Sequence, residues 1–368
     1  MEHQRSMNAA TRLHEAGQSL WLDNITRQLL RSGGLARYIS DAAITGLTSN
    51  PTIFDKAITG SQDYDDQARA LSSAGKVGEE LFFALALDDL TRAAQLFRPI
   101  WDATGGVDGW VSLEVSPRLA HDTASTVTEA SALHARALTP NLFIKVPGTR
   151  EGLPAIEELT FRGIPVNVTL LFSDDQYLAA AGAYQRGLER RRQAGLDPHV
   201  ASVASVFVSR WDHATLASLP DGLKDELGIA VAARCYRAFR TILRSPDWKQ
   251  LAGAGARPQR LLFASTGTKD PAKPDTYYIE SLAAPGTVIT VPQATLDAFV
   301  DHGHLGAPLA EDAGTADEVV ARIEARGIDV AGLAATLQRE GADTFVASWD
   351  DLLRSIESKR AALAAATR

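Results

Sequence analysis

Residues 141–148 read NLFIKVPG, an apolar strand-like run that carries a lysine near its end. Lysine is among the residues least often buried without a partner. Lys145 is therefore either a solvated or salt-bridged strand end, or an amine set where chemistry needs one. Other short apolar runs carry polar side chains in the same way: Asp23 in SLWLDNI, Asn50 in ITGLTSN, Glu114 in GWVSLEVS, Asn167 and Thr169 in IPVNVTLLF, and Ser205 in ASVASVFVSR. Glu114 taken alone fits a buried ion-pair partner for Lys145. Together with Asp23 and Thr169 it makes a set able to move protons around an amine.

For that set to converge, the runs must be strands of one sheet. Eight of them, rich in Val, Ile, Leu and Phe, recur at 19–25, 44–50, 109–116, 141–148, 164–172, 201–210, 260–266 and 286–293. Longer segments with apolar residues at helical spacing lie between them; in DQYLAAAGAYQRGLERRRQAG, Tyr177, Leu178, Ala181, Tyr184 and Leu188 share one face. Strand alternating with helix predicts parallel strands with crossover helices, and eight such units predict a closed (β/α)8 TIM barrel over an open sheet. No Gly-rich nucleotide loop follows the first strand, which argues against the open sheet. Side chains alternate across a strand. In WVSLEV that sets Val111, Leu113 and Val115 against the helix layer and turns Ser112 and Glu114 inward. The same sorting turns Asp23, Lys145, Asn167, Thr169, Ser205 and Phe207 inward, and all except Asn167 fall toward the C-terminal half of their runs. That is the end of a barrel where active sites are assembled. Asn50, closing its run, joins them. An interior filled only for structure is mostly branched and apolar, so the polar convergence favours chemistry over a solvated strand end. The chain reads as one domain, 1–368, with the barrel core at 18–295 and amphipathic helices at 305–368 packed on its outside.

Composition limits the partners. The chain of 368 residues is 45% hydrophobic and 22% charged, with 37 basic against 45 acidic side chains and a formal net charge of -8. It has no Lys/Arg block of the kind that grips nucleic acid or anionic lipid, so neither nucleic acid nor membrane is an expected partner. Any cation that meets an anionic ligand must be local. The single Cys235 excludes an internal disulfide and a thiolate zinc site within one chain, and it reads as a small packed helix residue. The N-terminal segment lacks an apolar signal region and no run approaches the roughly 18 residues of a membrane span, which predicts a cytoplasmic location.

Motif by motif, the chain resembles the transaldolase family. LDNI at Asp23, GLTSNPTIF around Asn50, SLEVSP around Glu114, FIKVPGT around Lys145, NVTLLFS around Thr169 and SVFVSR from Ser205 to Arg210 fall in the family's order. The resemblance implies a class I aldolase-like barrel that works without a metal or other cofactor. Its reaction would transfer a dihydroxyacetone unit from sedoheptulose 7-phosphate to glyceraldehyde 3-phosphate, giving erythrose 4-phosphate and fructose 6-phosphate, in the non-oxidative pentose phosphate pathway. It further implies Lys145 as the Schiff-base lysine, Asp23 as the general acid/base where the carbon–carbon bond breaks, and Glu114 with Thr169 as holders of a proton-shuttling water. Asn50 and Ser205 match contacts to the three-carbon unit, and Arg210 matches a phosphate ligand. Asn167 and Phe207 complete the substrate-binding set, sugar phosphates are the expected partners, and the chain would act as a monomer or homodimer. The chemistry is consistent with these residue types. An amine of ordinary pKa about 10.4 must lose its proton to attack a ketone, and a protonated imine is then the electron sink for bond cleavage. The departing hydroxyl needs a base and carbinolamine turnover needs an acid, so two carboxylates with different tasks are required.

The pattern departs from the family after the seventh run, where relatives carry Ser-x-Arg and this chain reads ASTGTKDP. Lys269, aided by Ser265, is the candidate for the second phosphate contact. Val206 and Ser209 also stand where many relatives place Pro and Gly. Three lesser motifs carry no function. HGH at 302–304 lacks a third ligand and reads as solvated loop. NVT at 167–169 fits a glycosylation sequon but lies in a predicted buried strand. TGTK at 266–269 lacks the rest of a phosphate loop. Beside the transferase stand a lyase that releases free dihydroxyacetone and a barrel that only binds sugar phosphates. Phe207 favours the transferase over the lyase, because an apolar ring cannot hydrogen-bond a water placed to protonate the enamine. A binding module leaves Lys145, Glu114 and Asp23 unexplained together.

Overall fold

Runs of Val, Ile, Leu and Phe fold as strands in the computed structural model, which describes residues 8–268 and 270–365. The strands are β1 (Ser19–Asp23), β2 (Ile44–Thr48), β3 (Trp110–Glu114), β4 (Leu142–Pro147), β5 (Val166–Leu171), β6 (Ser202–Phe207), β7 (Gln259–Ala264) and β8 (Val288–Val291). All adjacent pairs are parallel, and β1 pairs with β8 as well as with β2, so the sheet closes in sequence order into the expected barrel. Each strand lies inside its predicted run except β7, which begins one residue earlier.

Parallel strands need a crossover between each pair. Helices such as Gly78–Ala103, Thr123–Ala137, Gly152–Phe161 and Asp174–Gln193 supply it and bury the outward residues Leu113, Ile144, Val146 and Val168. Helix Asp174–Gln193 starts where Ser173 accepts a hydrogen bond from the Gln176 amide, which ends the loop after β5 at a fixed point. Its buried face holds Tyr177, Ala181, Tyr184 and Leu188, but Leu178 is exposed. Residue 178 is one step of about 100° beyond Tyr177 and falls off the edge of the apolar stripe.

Inside the barrel, the N-terminal end is closed by aromatic rings. Trp110 and Phe143 stack with centroids 4.1 Å apart, and Trp21 lies 6.1 Å from Phe143. Gly46 admits the Trp21 ring: a Cβ at that position would sit 2.5 Å from it. Above these rings, the polar residues Asp23, Lys145, Ser205 and Asn50 gather at the opposite end.

The C-terminal helices do more than cover the outside. Helix Val330–Ala365 runs across the loops that follow the strands: Gln338 donates to the carbonyls of Gly148 (3.1 Å) and Leu170 (2.9 Å), and Arg118 pairs with Asp350 at 2.6 Å. Trp349 donates to Glu79 at 2.8 Å. This seat brings Phe345 to the barrel mouth. Among the described residues, no helix is long and apolar enough to cross a membrane.

Candidate active site

The register of β3 against β4 places Glu114 opposite Lys145, and both turn inward. Glu114 Oε2 lies 3.3 Å from Lys145 Nζ, with both residues only 6% exposed. Nζ also reaches the Ser49 carbonyl at 3.5 Å. Withdrawing two charges from water is costly even when they meet. Burial pushes the Glu114 carboxyl above its ordinary value; the Lys145 charge opposes the rise and the Asp23 charge adds to it. A carboxylate raised in this way, beside an amine, is well suited to take its proton.

Asp23 ends β1 opposite Thr48 of β2. Thr48 Oγ1 donates to Asp23 Oδ1 at 2.7 Å and lies 2.8 Å from Thr290 Oγ1. A hydroxyl has one proton to give, so Thr290 is the donor in the second bond and the chain of hydroxyls points toward the carboxylate. Burial raises Asp23 above its ordinary value, with the Lys145 charge and the Thr48 hydroxyl pulling the other way.

These groups border a cavity of about 170 Å³. Of the residues expected there, Asp23, Asn50, Lys145, Ser205, Phe207, Arg210 and Ser265 line it. Asn50 has a structural task as well: its side chain caps helix Pro51–Thr59 by accepting from the Ile53 amide at 3.0 Å, which leaves its NH2 group for a ligand. Asn167 does not line the cavity. It is fully buried, donates to Ser112 at 3.1 Å and accepts from Ser205 at 2.7 Å. Asn167 therefore orients Ser205, whose oxygen is left to act as an acceptor. Glu114 and Thr169 lie outside the cavity lining; among the described residues Thr169 Oγ1 is buried without a hydrogen-bond partner, and Glu114 Oε2 has its Lys145 contact alone. Just past Thr169, Leu170 adopts a φ of 62° and the pairing with β6 shifts, a bulge that bends the strand end at the mouth.

Arg210 sits on helix Ser209–Thr215, directly after β6. Its guanidinium lies 5.2 Å from the Phe207 ring centroid and 5.7 Å from that of Phe345. Burial, with no carboxylate beside it among the described residues, lowers its pKa from the ordinary value. Arginine nonetheless keeps its charge in proteins, so this is a half-buried cation available to an anion. Ser265 takes a φ of 54°, and its Oγ lies 3.0 Å from Ser209 Oγ, while the Ser209 amide donates to the Ser265 carbonyl at 2.8 Å. Ser209, the residue standing in place of glycine, thus ties the loops after β6 and β7 together. Lys269 lies outside the described residues.

Residues not expected there also line the cavity, among them Thr48, Gly267, Thr290 and Phe345. Thr48 alternates inward with Gly46, and Thr290 is the polar position in VITV, so strand alternation could have marked both. Phe345 has no local signal, because helix Val330–Ala365 reads as an ordinary amphipathic surface helix. Away from the site, His302 pairs with Asp275 at 3.0 Å and Asp301 at 3.2 Å, and burial raises the thiol of Cys235 well above its ordinary value. Asn167 of the NVT triplet is inaccessible to a glycan.

Fold and site together define an aldolase-like (β/α)8 barrel, in which a lysine backed by a buried glutamate shares the C-terminal mouth with an aspartate and an arginine. The family model described as transaldolase/fructose-6-phosphate aldolase matches residues 20–356, and the chain belongs to that family. It is 46% identical to a transaldolase of Thermobifida fusca (strain YX) over 359 residues, covering 95% of this chain and 98% of that one. It is 45% identical to a transaldolase of Parafrankia sp. (strain EAN1pec) over 356 residues, covering 94% and 96% of the two chains. Over 338 residues it is 45% identical to a transaldolase of Neisseria gonorrhoeae, with 92% and 96% covered.

Proposed function

We propose that Lys145 carries the Schiff base through which this enzyme works, and that Asp23 is the base that opens the carbon–carbon bond. The reaction is that of a transaldolase: a dihydroxyacetone unit passes from sedoheptulose 7-phosphate to glyceraldehyde 3-phosphate, giving erythrose 4-phosphate and fructose 6-phosphate in the non-oxidative pentose phosphate pathway. The observation that carries the residue assignment is the buried 3.3 Å contact between Lys145 and Glu114.

The positions support the following steps. Glu114 takes a proton from Lys145, and the free amine attacks the donor's C2 carbonyl to give a carbinolamine. A water held between Glu114, whose Oε2 meets the Lys145 amine, and Thr169, whose buried hydroxyl has no partner among the described residues, returns the proton as hydroxide leaves, and a protonated imine remains. Asp23 then takes the proton of the C4 hydroxyl. The C3–C4 bond breaks, its electron pair moves into the iminium, and the aldehyde product departs. The enamine left on Lys145 attacks the acceptor aldehyde, Asp23 gives its proton to the new hydroxyl, and hydrolysis of the imine frees the product. Asn50 and Ser205 hold the three-carbon unit, and Arg210 holds the phosphate together with Ser265, with Lys269 as a further candidate. The enzyme works in the cytoplasm on sugar phosphates, as a monomer or homodimer.

Borohydride reduction in the presence of fructose 6-phosphate, followed by peptide mass mapping, tests the assignment. A three-carbon adduct is expected on the peptide containing Lys145. An adduct on another lysine would sink it.

The phosphate contact predicts a second result. An arginine fork meets phosphate oxygens at two points, a geometry that lysine cannot copy. Arg210→Lys is therefore expected to raise KM for phosphorylated donors by about tenfold or more. Fructose should be a poor donor for the wild type, and Arg210→Ala should narrow the gap between fructose and fructose 6-phosphate. Donor kinetics decide this, and a phosphorylated preference that survives Arg210→Ala rules Arg210 out.

The lyase alternative is addressed by Phe207, whose ring borders the cavity 5.3 Å from Phe172 and 6.3 Å from Phe345. An apolar wall there gives a water no hydrogen bond from which to protonate the enamine. Phe207→Tyr supplies one, and should raise release of free dihydroxyacetone without acceptor by about tenfold or more. An unchanged release rate would remove Phe207 from partner choice.

A further inference from the structure

We propose that Asp212, outside the cavity, is the positioning residue that holds the Arg210 helix against the loop after β7 and so sets the affinity for phosphorylated donors. The inference rests on Arg210 as the phosphate contact. Asp212 follows Arg210 by two positions on helix Ser209–Thr215 and is 2% exposed. One carboxylate oxygen accepts from the Gly228 amide at 2.9 Å, and the other accepts from the Tyr278 hydroxyl at 2.8 Å.

Those two partners lie on different elements. Gly228 is in the first turn of helix Leu227–Arg244, whose leading amides have no partner within the helix. Asp212 caps one of them from a distance, with a negative charge where the helix dipole favours it. The fit admits no side chain: a Cβ on Gly228 would lie 2.5 Å from Asp212 Oδ2 and 2.7 Å from the Val208 carbonyl. Tyr278 belongs to the short helix Tyr277–Ser281, which ends the segment that begins with the cavity residues Ser265 and Gly267. One buried carboxylate therefore joins the Arg210 helix to the helix after it and to the far end of the β7 loop.

Neighbouring bonds hold the same helix to the ends of β5 and β7. The Trp211 indole donates to the Phe172 carbonyl at 3.0 Å, and Ser209 meets Ser265 through both backbone and hydroxyl. The Tyr277 hydroxyl donates to the Asp225 carbonyl at 2.9 Å, closing the segment between Asp212 and Gly228 onto the same short helix. Burial pushes the Asp212 carboxyl up to about 6, against the pull of the Gly228 amide and the Tyr278 hydroxyl, and the charges of Asp225 and Glu226 add to the rise. A buried acid kept at such a cost is expected to hold something that matters. Arg210 is the one cation on this helix that lines the cavity.

The test compares Asp212→Ala, Asp212→Asn and Tyr278→Phe with the wild type and with Arg210→Ala, each checked by thermal melting. Asp212→Ala is expected to raise KM for fructose 6-phosphate by about tenfold with kcat within about twofold, while turnover of fructose stays the same. Tyr278→Phe should raise that KM by about threefold, and Asp212→Asn, which keeps an acceptor for Gly228, should restore most of the loss. If Asp212→Ala does not fold, Tyr278→Phe carries the comparison alone. Equal losses on fructose and fructose 6-phosphate would show a structural role and overturn the inference. So would an unchanged KM in Asp212→Ala or Tyr278→Phe while Arg210→Ala narrows the donor gap, an outcome that leaves the phosphate reading standing. A donor gap unaffected by Arg210→Ala would overturn both.

Discussion

Lys145→Ala is expected to abolish the borohydride-trapped adduct and to lower turnover by at least about four orders of magnitude, because the covalent route is lost and no slower version of it remains. No other lysine among the described residues lines the cavity. Lys145→Arg separates charge from nucleophilicity. It keeps a cation beside Glu114, and so most of the electrostatics of the buried pair, but a guanidinium does not condense with a ketone under these conditions. Both variants should therefore be equally inactive, and Lys145→Arg should be the more stable, since Lys145→Ala leaves the Glu114 carboxyl buried without its partner. Single-turnover trapping with intact-mass detection, together with melting curves, checks all three statements. Turnover in Lys145→Arg above about a hundredth of wild type would mean that the lysine acts through its charge, and the imine mechanism would fail.

The barrel and much of its mouth were legible because both rest on period. Alternation along strands of four to six residues decides which side chains point inward, and it sets Asp23, Glu114, Lys145 and Ser205 on one side of the sheet. Alternation gives direction and not depth. Asn167 turns inward as expected yet does not reach the cavity, because its amide is taken up by Ser112 and Ser205 inside the barrel. Asn50 shows a different overlap: the residue that caps a helix also borders the cavity, so one side chain has a local task and faces the site at once. Phe345 was illegible for another reason. Its place at the mouth depends on where helix Val330–Ala365 docks, and that is set by contacts such as Gln338 to Gly148 and Lys359 to the Ile58 and Ser61 carbonyls, separated in sequence by hundreds of residues. No pattern within the helix encodes them. Asp212 carries no local signal for a similar reason, as its partners Gly228 and Tyr278 belong to two later elements.

Asp23→Asn and Glu114→Gln should fail at different steps. Asp23 meets the cavity and the hydroxyl chain from Thr290 through Thr48, whereas Glu114 touches the amine. Asp23→Asn is therefore expected to form the imine at close to the wild-type rate and to cleave it about a thousandfold more slowly, so that the trapped species before cleavage accumulates. Glu114→Gln should delay the appearance of any adduct, because the amine has lost its proton acceptor. Equal loss of adduct formation in the two variants would overturn this division. Stability should move in the opposite direction to activity. Burial is the largest influence on Asp23 and holds it above its ordinary value of 3.8 in the folded chain. Between that value and the raised one, the folded state binds more protons than the unfolded state, so stability falls as pH rises through this window. Asparagine carries no charge to desolvate. Asp23→Asn should then melt at a higher temperature than the wild type near pH 7, and the advantage should shrink to nothing as the pH approaches the ordinary carboxylate range from above. Removing the Asp23 charge also takes away one of the influences that raise Glu114, so the remaining carboxyl should titrate lower in this variant. Melting curves across pH read the first effect directly. A variant no more stable than the wild type at neutral pH would mean that Asp23 is not strained by its burial, and the physical basis for its role as a base would be gone.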